Sequence, residues 1–229
     1  MMDKIIHNIN KISHFCEDLI YCPEHGIMYQ KDMSLSVDYG KEYFEKYIRY
    51  EDTPIARKLN FFRIKIAEKY SFNSLLDVGI GSGEFIKNFN GNRNVFGYDI
   101  NAYAISWLKE RKIYINPYKS IPSCVDCITF FDSLEHMKNP GCLLDRIKND
   151  TYVIISIPIF KNLLNLKRSK HYRPNEHYYY FTLDGFVWYM EQKNFNFLEF
   201  CDCEIKAGRE DIFTFVFIKN DINRSAKVG

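Results

Sequence analysis

A chain of 229 residues with a formal net charge of +2 has the length of one globular domain and is no polycation, so its bulk charge favours neither nucleic acid nor its absence. Its 46% hydrophobic and 26% charged residues are ordinary for a soluble protein. The longest apolar stretch, residues 152–160, falls far short of the ~20 residues a membrane span needs, and seven cysteines, an odd number, read as reduced thiols, so a cytoplasmic protein with no membrane partner is expected.

Residues 1 to about 38 are weakly periodic and predict no element. Thr53 and Pro54 make an N-cap and first-turn pair. Ile55, Leu59, Phe62 and Ile66 follow as one apolar stripe, which predicts a helix. From residue 74 onward strand and helix alternate. Ser74 to Val78 reads as a strand ending in a glycine-rich turn, with a helix from about Glu84. Asn94 to Tyr98 reads as the next strand, with a helix from Ala102 to Arg111. Tyr114 and Ile115 suggest a short third strand, Val125 to Phe131 a fourth, and Asn139-Pro140 starts another helix. Tyr152 to Ile157 is a β-branched run typical of a strand buried on both faces. Thr182 caps a helix to about Gln192, and strands near Phe197–Ile205 and Ile212–Lys219 face each other across a turn containing Gly208. The predicted fold class is α/β: a mostly parallel twisted sheet with helices on both faces and a C-terminal antiparallel hairpin. In such sheets ligands sit at the carboxyl ends of the strands, where the strand order reverses.

The chemistry concentrates in Asp77-Val78-Gly79-Ile80-Gly81-Ser82-Gly83-Glu84. Glycines at 79, 81 and 83 allow a tight turn and close approach of the backbone to a ligand. The following helix offers unpaired N–H groups at its start. A dinucleotide fingerprint would place its third glycine at 84, where this chain carries Glu84. An added carboxylate suits a pyrophosphate poorly, which disfavours a nicotinamide enzyme. Asp77 can receive the amino group of a methionine moiety, directly or through water. Asp99 ends the second strand, where a carboxylate can accept both ribose hydroxyls of an adenosine.

These segments, DVGIGSGEF and YDIN, resemble the first two motifs of class I S-adenosylmethionine-dependent methyltransferases. VDCITFFDSLEH (residues 125–136) resembles their fourth-strand motif. HYRPNEHYYYFT (171–182) and the segment of Tyr39 and Glu42–Glu45 resemble a subgroup that includes ubiquinone-biosynthesis O-methyltransferases and sugar-modifying methyltransferases. The similarity runs from about residue 38 to 218. It implies an N-terminal segment and helical lid over residues 1–70, a cofactor-binding domain over 71–220, and a tail over 221–229. The cofactor would be S-adenosyl-L-methionine. Asp77, Gly79, Gly81 and Gly83 would hold its methionine end, Asp99 and Ile100 its ribose and adenine, and Phe131 and Asp132 the wall after the fourth strand, with Tyr39 covering it. Where relatives often carry an acid after the third strand, this chain has Asn116-Pro117-Tyr118.

A hydroxyl or amine acceptor must shed a proton on methylation, and His136 and His177 are the candidate catalytic acceptors of it. Cys124 and Cys127 read as core thiols. Cys201 and Cys203 would share a strand face, but two ligands make no zinc site. His14, Cys16, Cys22 and His25 fall within twelve residues; their spacing only vaguely resembles the zinc ribbon of some relatives, and no metal is assigned. Lys161, Lys167, Arg168, Lys170 and Arg173 form a stretch without acids, which suits an anionic acceptor. The expected function is methyl transfer to an O or N atom of a small, anionic molecule. A nucleic-acid or protein acceptor, or a non-catalytic cofactor binder, stays open beside it.

Overall fold

In the computed structural model, residues 13–16, 18–32, 34, 39–89 and 93–220 are described. The chain enters as an antiparallel meander of β1 (Ser13–Cys16), β2 (Leu19–Cys22) and β3 (Ile27–Gln30). Sequence periodicity did not signal these strands, because four residues are too few to establish a period. They are fixed by partners far along the chain: β3 pairs with β8 (Tyr179–Phe181), the segment just before the Thr182 cap. Gly26 is packed so closely on Gly185 and Thr182 that the meander and the later helix form one unit.

Two helices follow, α1 (Lys41–Glu51) and α2 (Pro54–Ala67). Thr53 Oγ1 accepts the Ala56 N–H and Pro54 opens the first turn, as the sequence anticipated. α2 buries Leu59 and Ile66, whereas Ile55 of the expected stripe is exposed. α1 buries no residue at all. Its Phe44 stacks on Tyr103, and Tyr43, Tyr47 and Tyr50 line the cleft described below.

The main sheet comprises β4 (Ser74–Val78), β5 (Asn94–Tyr98), β6 (Cys127–Phe131), β7 (Tyr152–Pro158), β9 (Phe195–Cys201) and β10 (Ile212–Lys219). Their order is β5-β4-β6-β7-β10-β9, parallel from β5 through β7 and antiparallel at β7–β10 and β10–β9. The helices between them are α3 (Glu84–Asn88), α4 (Ala102–Glu110), α5 (Pro140–Leu144), α6 (Leu183–Gln192) and α7 (Cys203–Lys206). Alternation along β7 sends Val153, Ile155 and Ile157 into one core with Phe186 and Met190 of α6. Ile154 joins the other face, with Ile66, Phe72 and Phe85. The chain runs from β4 outward to β5 and then back to β6, so the order reverses beside β4. That reversal opens a crevice above the carboxyl ends of β4 and β6.

Some expected elements are shorter. Tyr114–Ile115 contributes a single bridge to Gly97 rather than a strand. The strand expected over 197–205 stops at Cys201, and Cys203 begins α7, so Cys201 and Cys203 do not share a strand face. Cys127 is buried, but Cys124 lies ahead of β6 and is exposed, not a core thiol. Cys22 is in the core and His25 stacks on Trp188 at 3.8 Å between ring centroids. Among the described residues no helix is long and apolar enough to cross a membrane.

Candidate active site

The chain leaves β4 and turns through Gly79–Gly83 into α3. Gly79 has φ +89°, and a Cβ built on it would lie 2.5 Å from the Cβ of Ser133. Ser133 in turn donates its hydroxyl to the Val78 carbonyl at 2.6 Å, clamping the β4 and β6 ends together. Gly79→Ala therefore combines a strained backbone with a clash against main-chain-proximal atoms. It is expected to lower stability by about 2–3 kcal/mol, readable as a shift in the urea midpoint. Gly81 faces the cleft, 3.5 Å from the Tyr47 ring at its Cβ position. Gly83 does not line the cleft. It is the left-handed N-cap of α3, and a Cβ built on it would lie 3.1 Å from the Trp107 ring.

Two carboxylates flank this turn. Asp77 is 2% exposed and accepts the Thr129 hydroxyl at 2.7 Å. Burial raises its pKa to about 7, against the lowering effects of Thr129 and Arg63. Asp99 Oδ2 accepts the Gly81 N–H at 3.1 Å and its Oδ1 accepts the Asn101 N–H at 2.8 Å, tying the end of β5 to the glycine turn. Burial pushes its pKa up despite those bonds. Ile100 beside it is exposed, and Tyr118, from the segment where relatives carry an acid, also lines the cleft.

A roof of tyrosines covers the turn. Tyr43 and Tyr47 are four apart on α1, so they share one helix face; their hydroxyls are 3.0 Å apart and Tyr39 meets Tyr43 edge-on. Asn101 holds the roof in place. Its side-chain oxygen caps α4 through Tyr103 N–H, while its Nδ2 donates to the Tyr39 and Gly40 carbonyls. No sequence signal pointed to Asn101, because its two roles reach segments sixty residues apart.

Asp132 is placed in the cleft as expected, but its carboxylate is already engaged. Arg63 donates to it at 2.9 Å, Arg209 grips both its oxygens, and the same two arginines hold the fully buried Glu204 at 2.8 and 2.7 Å. The guanidinium of Arg63 also covers the Phe131 ring at 4.5 Å. The two arginine charges hold Asp132 well below the usual carboxylate range, outweighing the opposing effect of burial. Two cations and two anions balance here, so this network is structural support for the cleft floor. None of Arg63, Glu204 and Arg209 stood out in the sequence, since they come from α2, α7 and the β10 approach.

At the far end, His136 and His177 meet edge to face with centroids 4.6 Å apart. Tyr39 OH lies 3.4 Å from His136 Nδ1. Burial lowers both imidazole pKa values, that of His177 to about 2, with His136 and Arg173 adding to the effect. Both rings are thus neutral at physiological pH. Of the five basic residues singled out in 161–173, Arg173 lines the cleft, and Lys170 instead pairs with Glu210 at 2.9 Å. The cleft holds about 740 Å³, enough for a nucleoside-sized ligand together with a second small molecule.

A parallel sheet with this strand order, a glycine turn after its first strand and an acid after its second is the architecture of the class I methyltransferases. A family profile described as a methyltransferase domain matches residues 47–199, more than half of the chain. The chain belongs to this family, and its cofactor is S-adenosylmethionine. Solved structures agree in fold. A Clostridium acetobutylicum S-adenosylmethionine-dependent methyltransferase superposes with a TM-score of 0.56 at 14% identity, over 78% of this chain and 99% of that one. A chain from the complex of the Haloferax volcanii Trm112 methyltransferase activator with its methyltransferase gives 0.61 at 10% identity, over 82% and 100%. The Burkholderia thailandensis 1,6-didemethyltoxoflavin-N1-methyltransferase, with 1,6-didemethyltoxoflavin and S-adenosylhomocysteine bound, gives 0.55 at 14%, over 92% and 100%. No curated protein matches by sequence.

Proposed function

We propose that the protein transfers a methyl group from S-adenosylmethionine to an oxygen or nitrogen atom of a small anionic molecule. The observation that carries this is the convergence of Asp77, the Gly79–Gly81 turn and Asp99 on one cleft at the point where the strand order reverses. The residues present fit the cofactor. A side chain at Gly81 would project into the cleft toward the Tyr47 ring, and Asp99 keeps lone pairs for ribose hydroxyls after serving Gly81 and Asn101. Ile100 and Tyr118 would pack on the adenine, Phe131 and Asp132 would wall the pocket, and Tyr39 and Tyr47 would roof it. The cofactor brings an activated methyl group on a sulfonium, so the chain's work is alignment and exclusion of water.

Asp77 would face the ammonium of the methionine moiety. That ammonium favours the ionised carboxylate, whereas the empty site favours the protonated one, because burial holds Asp77 near 7. Below pH 7 binding must expel a proton. Cofactor affinity is expected to fall about tenfold per pH unit from pH 7 down to 5 and to level off above 7. Calorimetric titrations at several pH values check this, and Asp77→Asn should flatten the profile.

Lys46, Arg49 and Lys138 line the cleft and support an anionic acceptor, beside Arg173, which pairs with Glu176 at 3.0 Å. The Burkholderia neighbour, which binds a small heterocycle, supports a small one. Incubation with methyl-labelled cofactor and a metabolite extract tests the reading: label should appear in a small acidic molecule. Label in RNA or protein instead would move the acceptor to a macromolecule, and absence of transfer despite tight cofactor binding would make the protein a cofactor sensor.

A further inference from the structure

Three groups at the acceptor end of the cleft take no part in gripping the cofactor. Leu134–His136 form a single turn of 3-10 helix just after β6, which swings Glu135 and His136 inward. His177 arrives from the segment before β8, and the Tyr178 N–H donates to the Glu135 carbonyl at 2.8 Å, pinning the two segments together. One ligand atom from each of Glu135, His136 and His177 lies within 4.8 Å of the others. Glu135 and His177 are 2% and 4% exposed, yet Glu135 Oε2 and His177 Nδ1 have no hydrogen-bond partner among the described residues. Buried polar atoms are ordinarily satisfied, so two orphans in one cluster indicate a missing partner that can take lone pairs from both. A cation coordinated by both does that.

We propose that Glu135, His136 and His177 bind a divalent first-row transition-metal ion. Two imidazoles and one carboxylate suit zinc, manganese, iron or cobalt better than magnesium or calcium, which take mainly oxygen ligands. Bonds of about 2.1 Å place neighbouring donors roughly 3–3.5 Å apart, so the three groups would draw together by about an ångström on loading. The Tyr39 hydroxyl, 3.4 Å from His136 Nδ1, is the kind of outer contact that orients a metal-bound imidazole. Three protein ligands leave positions open, and all three residues line the cleft.

The role of the ion rests on the methyl-transfer reading. An acceptor hydroxyl on an open position would lose its proton to solvent more readily. Its oxygen pair would then form the new bond to the methyl carbon, while the electrons of the broken carbon–sulfur bond stay on sulfur. The two imidazoles would act as ligands rather than as bases, and the acceptor class narrows to oxygen nucleophiles.

The test uses tag-free full-length protein, stripped with a chelator and titrated with Co²⁺, without cofactor or acceptor. One equivalent is expected to bind with visible d–d absorption and to be displaced by Zn²⁺. His177→Ala and Glu135→Gln should each weaken Co²⁺ binding at least tenfold while circular dichroism shows an intact fold. Should either variant misfold, the wild-type protein decides: saturating Zn²⁺ must raise its melting temperature. No binding below millimolar Co²⁺, unchanged affinity in both folded variants, or no thermal shift with Zn²⁺ would overturn the proposal. Since ion binding is read without the methyl donor, such a failure leaves methyl transfer standing, and a failure of methyl transfer leaves the ion site standing.

Discussion

Asp99→Ala is expected to weaken S-adenosylmethionine binding by at least about 100-fold. Hydrogen bonds to a charged group contribute roughly 1.5–3 kcal/mol each, and every 1.4 kcal/mol is a factor of ten. Asp99 would make two such bonds to ribose while also holding the Gly81 and Asn101 N–H groups. Loss of the carboxylate therefore removes ligand contacts and loosens the turn that carries them. Asp99→Asn keeps one acceptor oxygen and should lose less. Calorimetry on folded protein measures both, and an unchanged affinity in Asp99→Ala would remove the ribose assignment.

Arg63→Ala should produce the largest loss of stability. It strips one of two cations from Asp132 and from Glu204, the latter fully buried, and it removes the cover from Phe131. Taking one partner from a buried ion pair costs about 3–5 kcal/mol, because the remaining charge stays out of water. For a chain of this size that corresponds to a fall of roughly 10 °C in melting temperature. Arg209→Ala should behave alike, and the double variant should lose more than the sum, since in each single variant the remaining arginine still partly neutralises the same two acids. The sign of the pH effect follows from Asp132. Its carboxyl is held below its ordinary 3.8, so its share of the stability is present above about pH 4 and is lost as the pH falls further. Scanning calorimetry at pH 7 and pH 3 reads both effects.

Much of the catalytic domain was legible along the chain because its signals are local. The buried β-branched run of β7 and the capped starts of α2 and α6 each follow from a few neighbouring residues. The glycine turn with acids at 77 and 99 was legible for the same reason: tight approach to a ligand demands glycine within one loop. What the sequence did not show is that a side chain at Gly83, the third of the triplet, would meet Trp107 of α4.

By itself the sequence determined the strand–helix alternation, the ligand-binding turn and thereby the family, because backbone propensity and turn geometry act over a few residues. Only the tertiary structure decided that the first strands join β8, that Arg63, Asp132, Glu204 and Arg209 neutralise one another, and that Glu135 and His136 meet His177. Those arrangements depend on which distant segments share a low-dielectric interior, where an unpaired charge or polar atom is costly, and spacing along the chain carries no record of that.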